Sequence, residues 1–424
     1  MIKKPFIGFA SPRLEYDSPD SSQPAPVPVS PNRTITLFDP NPALGNPTCL
    51  PKVGDRVKSG QKLPLYKDQD AYLVATATGT ISDITTYTGN FGSKYLAISV
   101  SLEGDGEPDN AFSEYAGDPS PESAGLFLKD LPGAPPIATL QDRTRPINRV
   151  LINCMDHDLL VTTNQHVATT ATAELIAGIE ILKKVARTQK ITIAAAAELA
   201  PALEGKGADV AVISRTYPAA CPELMVKSIY SETVPAGMDA ADLGIAIVSA
   251  EAVVSMTRAY ASGTLPTNKI LTLIKKDGSK HLIDTPVGTP VADVLCAMGV
   301  TVGENDQVVI GGPLTGSAIY ATTYPVRPDT DAILVMDKAD VALSSDYPCI
   351  NCGDCVRVCP ANISINVLVR FLEVGHYDEA ADDYDLFSCV ECGMCSFVCP
   401  VKIPIFQYIR LAKYEIGRLQ TAEA

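Results

Sequence analysis

The segments CINCGDCVRVCP (349–360) and CVECGMCSFVCP (389–400) hold eight of the chain's 12 cysteines in two copies of one pattern, C-x2-C-x2-C-x3-C-P. In this spacing three thiolates leave one tight loop toward the corners of an iron–sulfur cube, while the fourth points away and serves the other cube. The pattern therefore assigns Cys349, Cys352, Cys355 and Cys399 to one [4Fe-4S] cluster, and Cys389, Cys392, Cys395 and Cys359 to a second. At the equivalent positions Gly353 and Gly393 a side chain is expected to crowd the cluster, and Pro360 and Pro400 turn the chain after the crossing cysteine. Structural zinc takes paired C-x2-C sets, which a repeated run of four fits poorly. Two clusters sharing ligand loops lie close enough to pass electrons one at a time. The pair reads as a short wire, and no residue is expected to act as a catalytic acid or base.

Other reactive side chains show no comparable order. Cys49, Cys154, Cys221 and Cys296 are isolated among apolar residues and are expected as buried structural thiols. His157, His166, His281 and His376 have no metal-ligand spacing, and no nucleophile–histidine arrangement stands out. GGPLTG (311–316) lacks the Lys-Ser/Thr ending of a phosphate loop and is expected as a turn.

These motifs must be positioned by a chain of 424 residues, which is too long for one ordinary core and implies several domains. An apolar content of 46% with 20% charged residues reads as globular. The longest apolar stretch, LGIAIVSAEAVVSM (243–256), is short and interrupted by Glu251, so no membrane-spanning helix is expected. The start, MIKKPFIGFASPRLE, does not read as a signal peptide. A cytoplasmic, reducing location follows, where thiols serve metals rather than disulfides. A net charge of −15 excludes a nucleic-acid partner.

Along the chain, residues 1–33 form a Pro/Ser-rich arm (DSPDSSQPAPVPVSP), expected to be flexible with little capacity to pack. Residues 34–101 carry short β-type runs with glycine turns and read as a small all-β domain. Residues 102–148 follow as a linker, with seven acids and no base over 103–122, expected to be solvated. From 149 to 265 strands alternate with helices: RVLINC, KITIAAAA, ADVAVIS and LGIAIVS against helices at 168–186 and 221–231. Continuous apolar strands in such alternation indicate a parallel sheet. Residues 266–340 hold a hairpin at Asp277-Gly278 and a helix from about Pro290. Residues 341–424 hold the cysteine motifs and helices. The last helix places Ile405, Ile409, Ala412, Ile416 and Leu419 on one face, expected to pack on the cluster fold, with Arg410, Lys413 and Arg418 opposite.

VGDRVKSGQ (53–61) and ATATGTISDI (75–84) resemble the barrel-sandwich domain of lipoyl and biotinyl carriers. The place of the modified lysine is Asp68, and Lys67 lacks the usual context, so docking is expected rather than a carrier role. The whole order of pieces, about residues 30–420, resembles the RnfC family, a component of the Rnf electron-transport complex. LINCMDHDLLVTTN, TYPAACPELMVKSIYSETVPAG, PVGTPVADVL, GGPLTG and PCINCGDCVRVCP carry the match. The resemblance implies a multidomain α/β plus β fold. Its parts would be a barrel-sandwich domain (34–101), a complex I flavoprotein-like α/β domain (149–265), a small SLBB-like β-hairpin/helix domain (266–340) and an α-helical dicluster ferredoxin domain (341–424). It implies an electron-transfer subunit, not a stand-alone enzyme, bound peripherally to the other subunits on the cytoplasmic face. Such a complex couples electron flow between NADH and ferredoxin to ion translocation.

Two departures bear on that implication. The family's flavin loop, G-x-G-G-A-G-F-P-T, corresponds to DLPGAPPIATL (130–140); Gly133 and Ala134 match, whereas Pro135 and Pro136 remove N–H donors. In the family's N-G-x-E-x-E-P run, Asn153 is kept, Cys154 replaces glycine, Asp156 and Asp158 replace the glutamates, and Leu159 replaces proline. Loss or weakening of FMN and NADH binding is expected, with electrons supplied by a redox protein such as a ferredoxin or a cytochrome. Two alternatives are a soluble flavin-dependent reductase of the cobalamin-reductase type and a non-redox scaffold with structural clusters.

Overall fold

The computed structural model describes residues 12–18, 24–40, 49–67, 70–104, 106–341, 343–345 and 347–423. Asp68, residues 1–11 and residues 19–23 lie outside that set. Near the start stands a two-residue strand, β1 (Val27–Pro28), followed by an antiparallel unit. Its strands are β2 (Thr34–Asp39), β3 (Arg56–Val57), β4 (Lys62–Pro64), β5 (Tyr72–Val74), β6 (Gly79–Thr88) and β7 (Lys94–Leu102). Period-two alternation turns Ile35, Leu37, Ile81, Ile98 and Val100 into one core between the sheet β2-β7-β6-β3 and the β4-β5 hairpin.

The acidic segment is corrected by the structure. It contains a 3-10 turn (Ala111–Tyr115) and leads into α1 (Pro121–Phe127) and α2 (Ile137–Gln141). Phe112 is buried against the rings of Tyr115, Phe127 and Tyr260. Glu103, Glu107, Glu114, Asp118 and Glu122 are exposed while the aromatic residues anchor the segment, a pattern that a charge count alone overlooks.

The central unit is β8 (Arg149–Asn153), α3 (Thr163–Thr170), α4 (Thr172–Val185), β9 (Ile191–Ala195), α5 (Ala200–Leu203), β10 (Asp209–Val212), α6 (Pro222–Tyr230), β11 (Ile245–Ser249) and α7 (Ala250–Ser262). All four strands are parallel in the order β10-β9-β8-β11. The helix expected over 168–186 is two helices that meet at Ala171. A third sheet follows: β12 (Asn268–Ile274), β13 (Lys280–Pro286), α8 (Val291–Ala297), β14 (Gln307–Ile310), β15 (Ser317–Ile319) and β16 (Ala332–Met336). Its order is β1-β13-β12-β16-β14-β15, so part of the N-terminal arm is an edge strand.

The arm differs from expectation elsewhere too. Glu15 bridges Thr216, and Tyr16 is 1% exposed. Little packing was expected of a Pro/Ser-rich stretch, but one aromatic ring and two backbone hydrogen bonds hold residues 14–17 in place.

The C-terminal unit is α9 (Asp354–Val358), α10 (Ile365–Glu373), α11 (Tyr377–Asp382), α12 (Met394–Val398) and α13 (Ile405–Glu423). The cysteine repeat extends into it at an offset of 40 residues. Thus α9 matches α12, α10 begins as α13 does, and Ile363, Ile365 and Arg370 match Ile403, Ile405 and Arg410. Ile405, Ile409, Ala412 and Ile416 are buried as expected, whereas Leu419 is 52% exposed. Among the described residues, no helix is long and apolar enough to cross a membrane.

Candidate metal centre

Cys349, Cys352, Cys355 and Cys399 line one cavity together with the apolar side chains of Val369 and Ile403. On the other side of the pseudo-repeat, the Cys359 thiol lies close enough to Cys389 and Cys392 to act on them electrostatically, and Cys395 neighbours both. Cys399 thus lies with the first loop's cysteines and Cys359 near Cys389 and Cys392, while Cys395 also feels Cys355. Among the described residues no three His, Cys, Asp or Glu side chains converge as a single ion requires. Thiols set around a cavity instead leave room for a multi-atom group, as a cube with separate iron corners demands.

Left-handed backbone turns the loops. Asn351 and Gly353 have φ of 59° and 76°, and their counterparts Glu391 and Gly393 have 53° and 72°. At Gly393 an added Cβ would stand 2.3 Å from the Leu314 carbonyl oxygen, so GGPLTG rather than the cluster does the crowding there. At Gly353 the nearest atom would be 3.4 Å away, and the positive φ is what favours glycine. The Glu391 N–H donates to the Cys389 sulfur at 3.4 Å. Burial pushes the thiols of Cys355 and Cys389 up to about 11 and Cys392 to about 12, with neighbouring thiols adding to the effect. As free thiols they are protonated at neutral pH, so loading with metal releases protons.

The two loops sit in unlike surroundings. The second is docked inward: Tyr217 Oη donates to the Cys392 carbonyl at 2.6 Å, and Lys413 Nζ donates to the Cys389 carbonyl at 2.8 Å. The first faces out, with Tyr347, Ile350 and Cys352 exposed. A cavity of about 490 Å³ borders the second loop, lined by Tyr87, Phe91, Tyr320, Arg327, Arg410 and Tyr414 among others.

Order reverses in the parallel sheet between β8 and β11, and open α/β sheets bind ligands in the crevice at such a point. Here the chain's own groups occupy it. Buried Asp156 accepts from the N–H groups of Asn164 and Gln165 and from Gln165 Nε2, so it caps α3. Asn164 Nδ2 donates to the Asn153 and Met155 carbonyls. Gly133 N–H donates to Pro328 O, Ala134 N–H to Leu131 O, and Ser249 Oγ to Gly133 O. Asp158 accepts from the N–H groups of Leu314 and Thr315 and from the Thr315 hydroxyl, so GGPLTG cradles a carboxylate of the chain. Tyr16 joins Met155, Ala196, Tyr217 and Cys392 in one buried cluster, and its hydroxyl accepts from the Ala220 N–H at 3.1 Å. Asn153 Nδ2 is buried with no partner among the described residues.

Of the isolated cysteines, Cys154 and Cys221 are buried, Cys49 is half-buried, and Cys296 is exposed, contrary to expectation. It sits on the outer side of the short helix α8, whose other side carries the core contacts of Val291, Val294 and Leu295. Tyr16, Tyr217, Glu391 and Lys413 belong to no cysteine or histidine pattern in the sequence. Only the last two left a signal: the 40-residue alignment pairs Glu391 with Asn351 and Lys413 with Glu373.

Residues 348–404 match the family model described as 4Fe-4S dicluster domain. The chain is 29% identical to the C subunit of the ion-translocating oxidoreductase complex of Yersinia enterocolitica, over 87% of this chain and 56% of the relative. It is 29% identical to the protein of the same name from Pectobacterium carotovorum, over 86% of this chain and 51% of the relative. The chain therefore spans about half the length of the curated relatives it matches. Among solved structures, an NAD+-reducing [NiFe]-hydrogenase in the air-oxidized state aligns with a TM-score of 0.44 at 15% identity, over 65% of this chain and 56% of that one.

Proposed function

We propose that this chain, a homologue of the RnfC proteins of ion-translocating oxidoreductase complexes, is an electron-transfer subunit with two [4Fe-4S] clusters within a membrane-bound assembly. The observation that supports the reading is that Cys399 lines the cavity of Cys349, Cys352 and Cys355, while Cys359 lies near Cys389 and Cys392 of the other loop. Bound there, the clusters would supply one-electron transfer. The chain's part is to hold them: eight thiols as ligands, the Glu391 N–H on one sulfur, and a buried apolar cluster from Ile363, Leu368, Ile409 and Ala412 that excludes water. The same reading treats 34–101 as a barrel-sandwich unit, 149–265 as flavoprotein-like, 266–340 as SLBB-like and 341–424 as the ferredoxin unit.

In this reading the FMN and NADH site is closed. Both N–H groups of Gly133 and Ala134 are engaged by chain carbonyls, Pro135 and Pro136 offer none, and Tyr16 is seated beside Tyr217 next to the second loop. Electrons then arrive from a redox protein such as a ferredoxin or a cytochrome. Attachment is peripheral, on the cytoplasmic face, through the other subunits. The test is iron, sulfide and flavin analysis of the full chain purified anaerobically, followed by dithionite reduction. Two reducible clusters and no flavin are expected. Stoichiometric FMN would overturn the closed site, and clusters that resist reduction would favour a structural scaffold.

A further inference from the structure

The two cluster loops are built on one template but carry different charges: the first holds the Asp354–Arg357 pair where the second has Met394 and Phe397, and the second meets charged groups of α13. Glu391 stands between Cys389 and Cys392 in left-handed conformation, as Asn351 stands between Cys349 and Cys352. In the first loop the amide of Asn351 accepts from Asn366 Nδ2 at 2.7 Å, a neutral pair, and the cation on a ligand carbonyl is Arg357, which donates to Cys352 O at 3.3 Å and is itself paired with Asp354. In the second, Glu391 Oε1 accepts from Lys413 Nζ at 2.9 Å, and Arg410 Nε lies 4.0 Å from Glu391 Oε2. Lys413 Nζ also donates to the Cys389 carbonyl at 2.8 Å, so the ammonium is fixed against the backbone of a ligand residue. Its side chain is 20% exposed, which weakens screening by water. Forty residues earlier the equivalent of Lys413 is Glu373, which is exposed and absent from the lining of the first cavity.

Accepting an electron adds negative charge to a cluster. A fixed cation nearby stabilises the reduced form, and a fixed anion destabilises it. We propose that Lys413 raises the reduction potential of the second cluster, that Glu391 opposes it, and that the first cluster feels neither. The proposal rests on the cluster reading above. Lys413 touches no ligand atom of a cluster; it tunes through its charge and through its hold on Cys389.

The experiment is a potentiometric titration of the full chain with both clusters loaded, followed by EPR. Lys413→Gln is expected to move one of two midpoints to lower potential and leave the other in place. Glu391→Gln is expected to move the same midpoint upward, and Lys413→Arg to restore it toward that of the unsubstituted chain. Should Lys413→Gln fail to hold iron, Glu391→Gln still decides. Midpoints that stay put in the loaded variants, or that move together, would overturn the proposal. An unsubstituted chain that holds fewer than two clusters would instead fail the cluster reading itself.

Discussion

The phenol of Tyr217 donates a 2.6 Å hydrogen bond to the carbonyl oxygen of Cys392, tying the second cysteine loop to the parallel-sheet unit. Both groups are buried, so the bond is shielded from water. Tyr217→Phe keeps the ring and leaves that carbonyl without its donor. The expected cost is about 1–3 kcal/mol. Thermal unfolding should show it as a lowered midpoint, and the second cluster should lose iron faster to a chelator. An unchanged midpoint would mean that this bond adds nothing to the hold of Lys413 and packing on the loop.

The first loop exposes Cys352, whereas Cys392 in the second is buried. Iron should therefore leave in two phases under a chelator or a mild oxidant. Cys352→Ser should remove the faster phase together with one cluster's worth of iron. A single phase in the unsubstituted chain would show that the two sites open together.

Lys269 is fully buried between the carboxylates of Glu251 and Asp331, the latter at 3.1 Å, and so joins α7 to β12 and to the turn before β16. Lys269→Met would strand Glu251 as an uncompensated buried charge, at an expected cost of about 3–5 kcal/mol. Adding Glu251→Gln should recover part of it. Denaturant midpoints of both variants measure this, and equal losses in the single and double variants would contradict the pairing.

Burial pushes the carboxyl of Asp130 up to about 7, the charge of Asp39 adding to the effect and Lys129 opposing it. One of its oxygens is buried without a partner among the described residues, which suits a neutral acid. In the folded state it therefore keeps a proton that the unfolded chain gives up near pH ~4. Its stabilisation is full below that unfolded value and is lost as pH rises through 7. Asp130→Asn should flatten the stability profile over that window and leave the protein more stable at pH 8, by about 2–4 kcal/mol. A slope that survives the substitution would place its source elsewhere.

The parts of this fold legible in the sequence are those with local signatures. Strands such as ITIAA and the hairpin at Asp277-Gly278 declare themselves by composition and turn chemistry, and the cysteine loops by spacing. The burial of Tyr16 and Phe112 was not legible, because each lies in a stretch whose prolines or acids dominate the local text. What buries them comes from residues about 200 and 150 positions away, Tyr217 and Tyr260. The break at Ala171 was hidden for a related reason, since the apolar period runs through it. In the crevice, Pro135 and Pro136 signal a changed loop, but only the fold shows the carboxyl oxygens of Asp156 and Asp158 taken up by N–H groups of the chain.

In the proposed function, electrons pass through paired clusters in this chain without entering from a nicotinamide. Anaerobic EPR of the purified full chain, with NADH added first and dithionite second, tests it directly. No reduced-cluster signal is expected with NADH, and two interacting signals are expected with dithionite. Reduced clusters on NADH alone would contradict that function and reopen the crevice between β8 and β11 as a working flavin site.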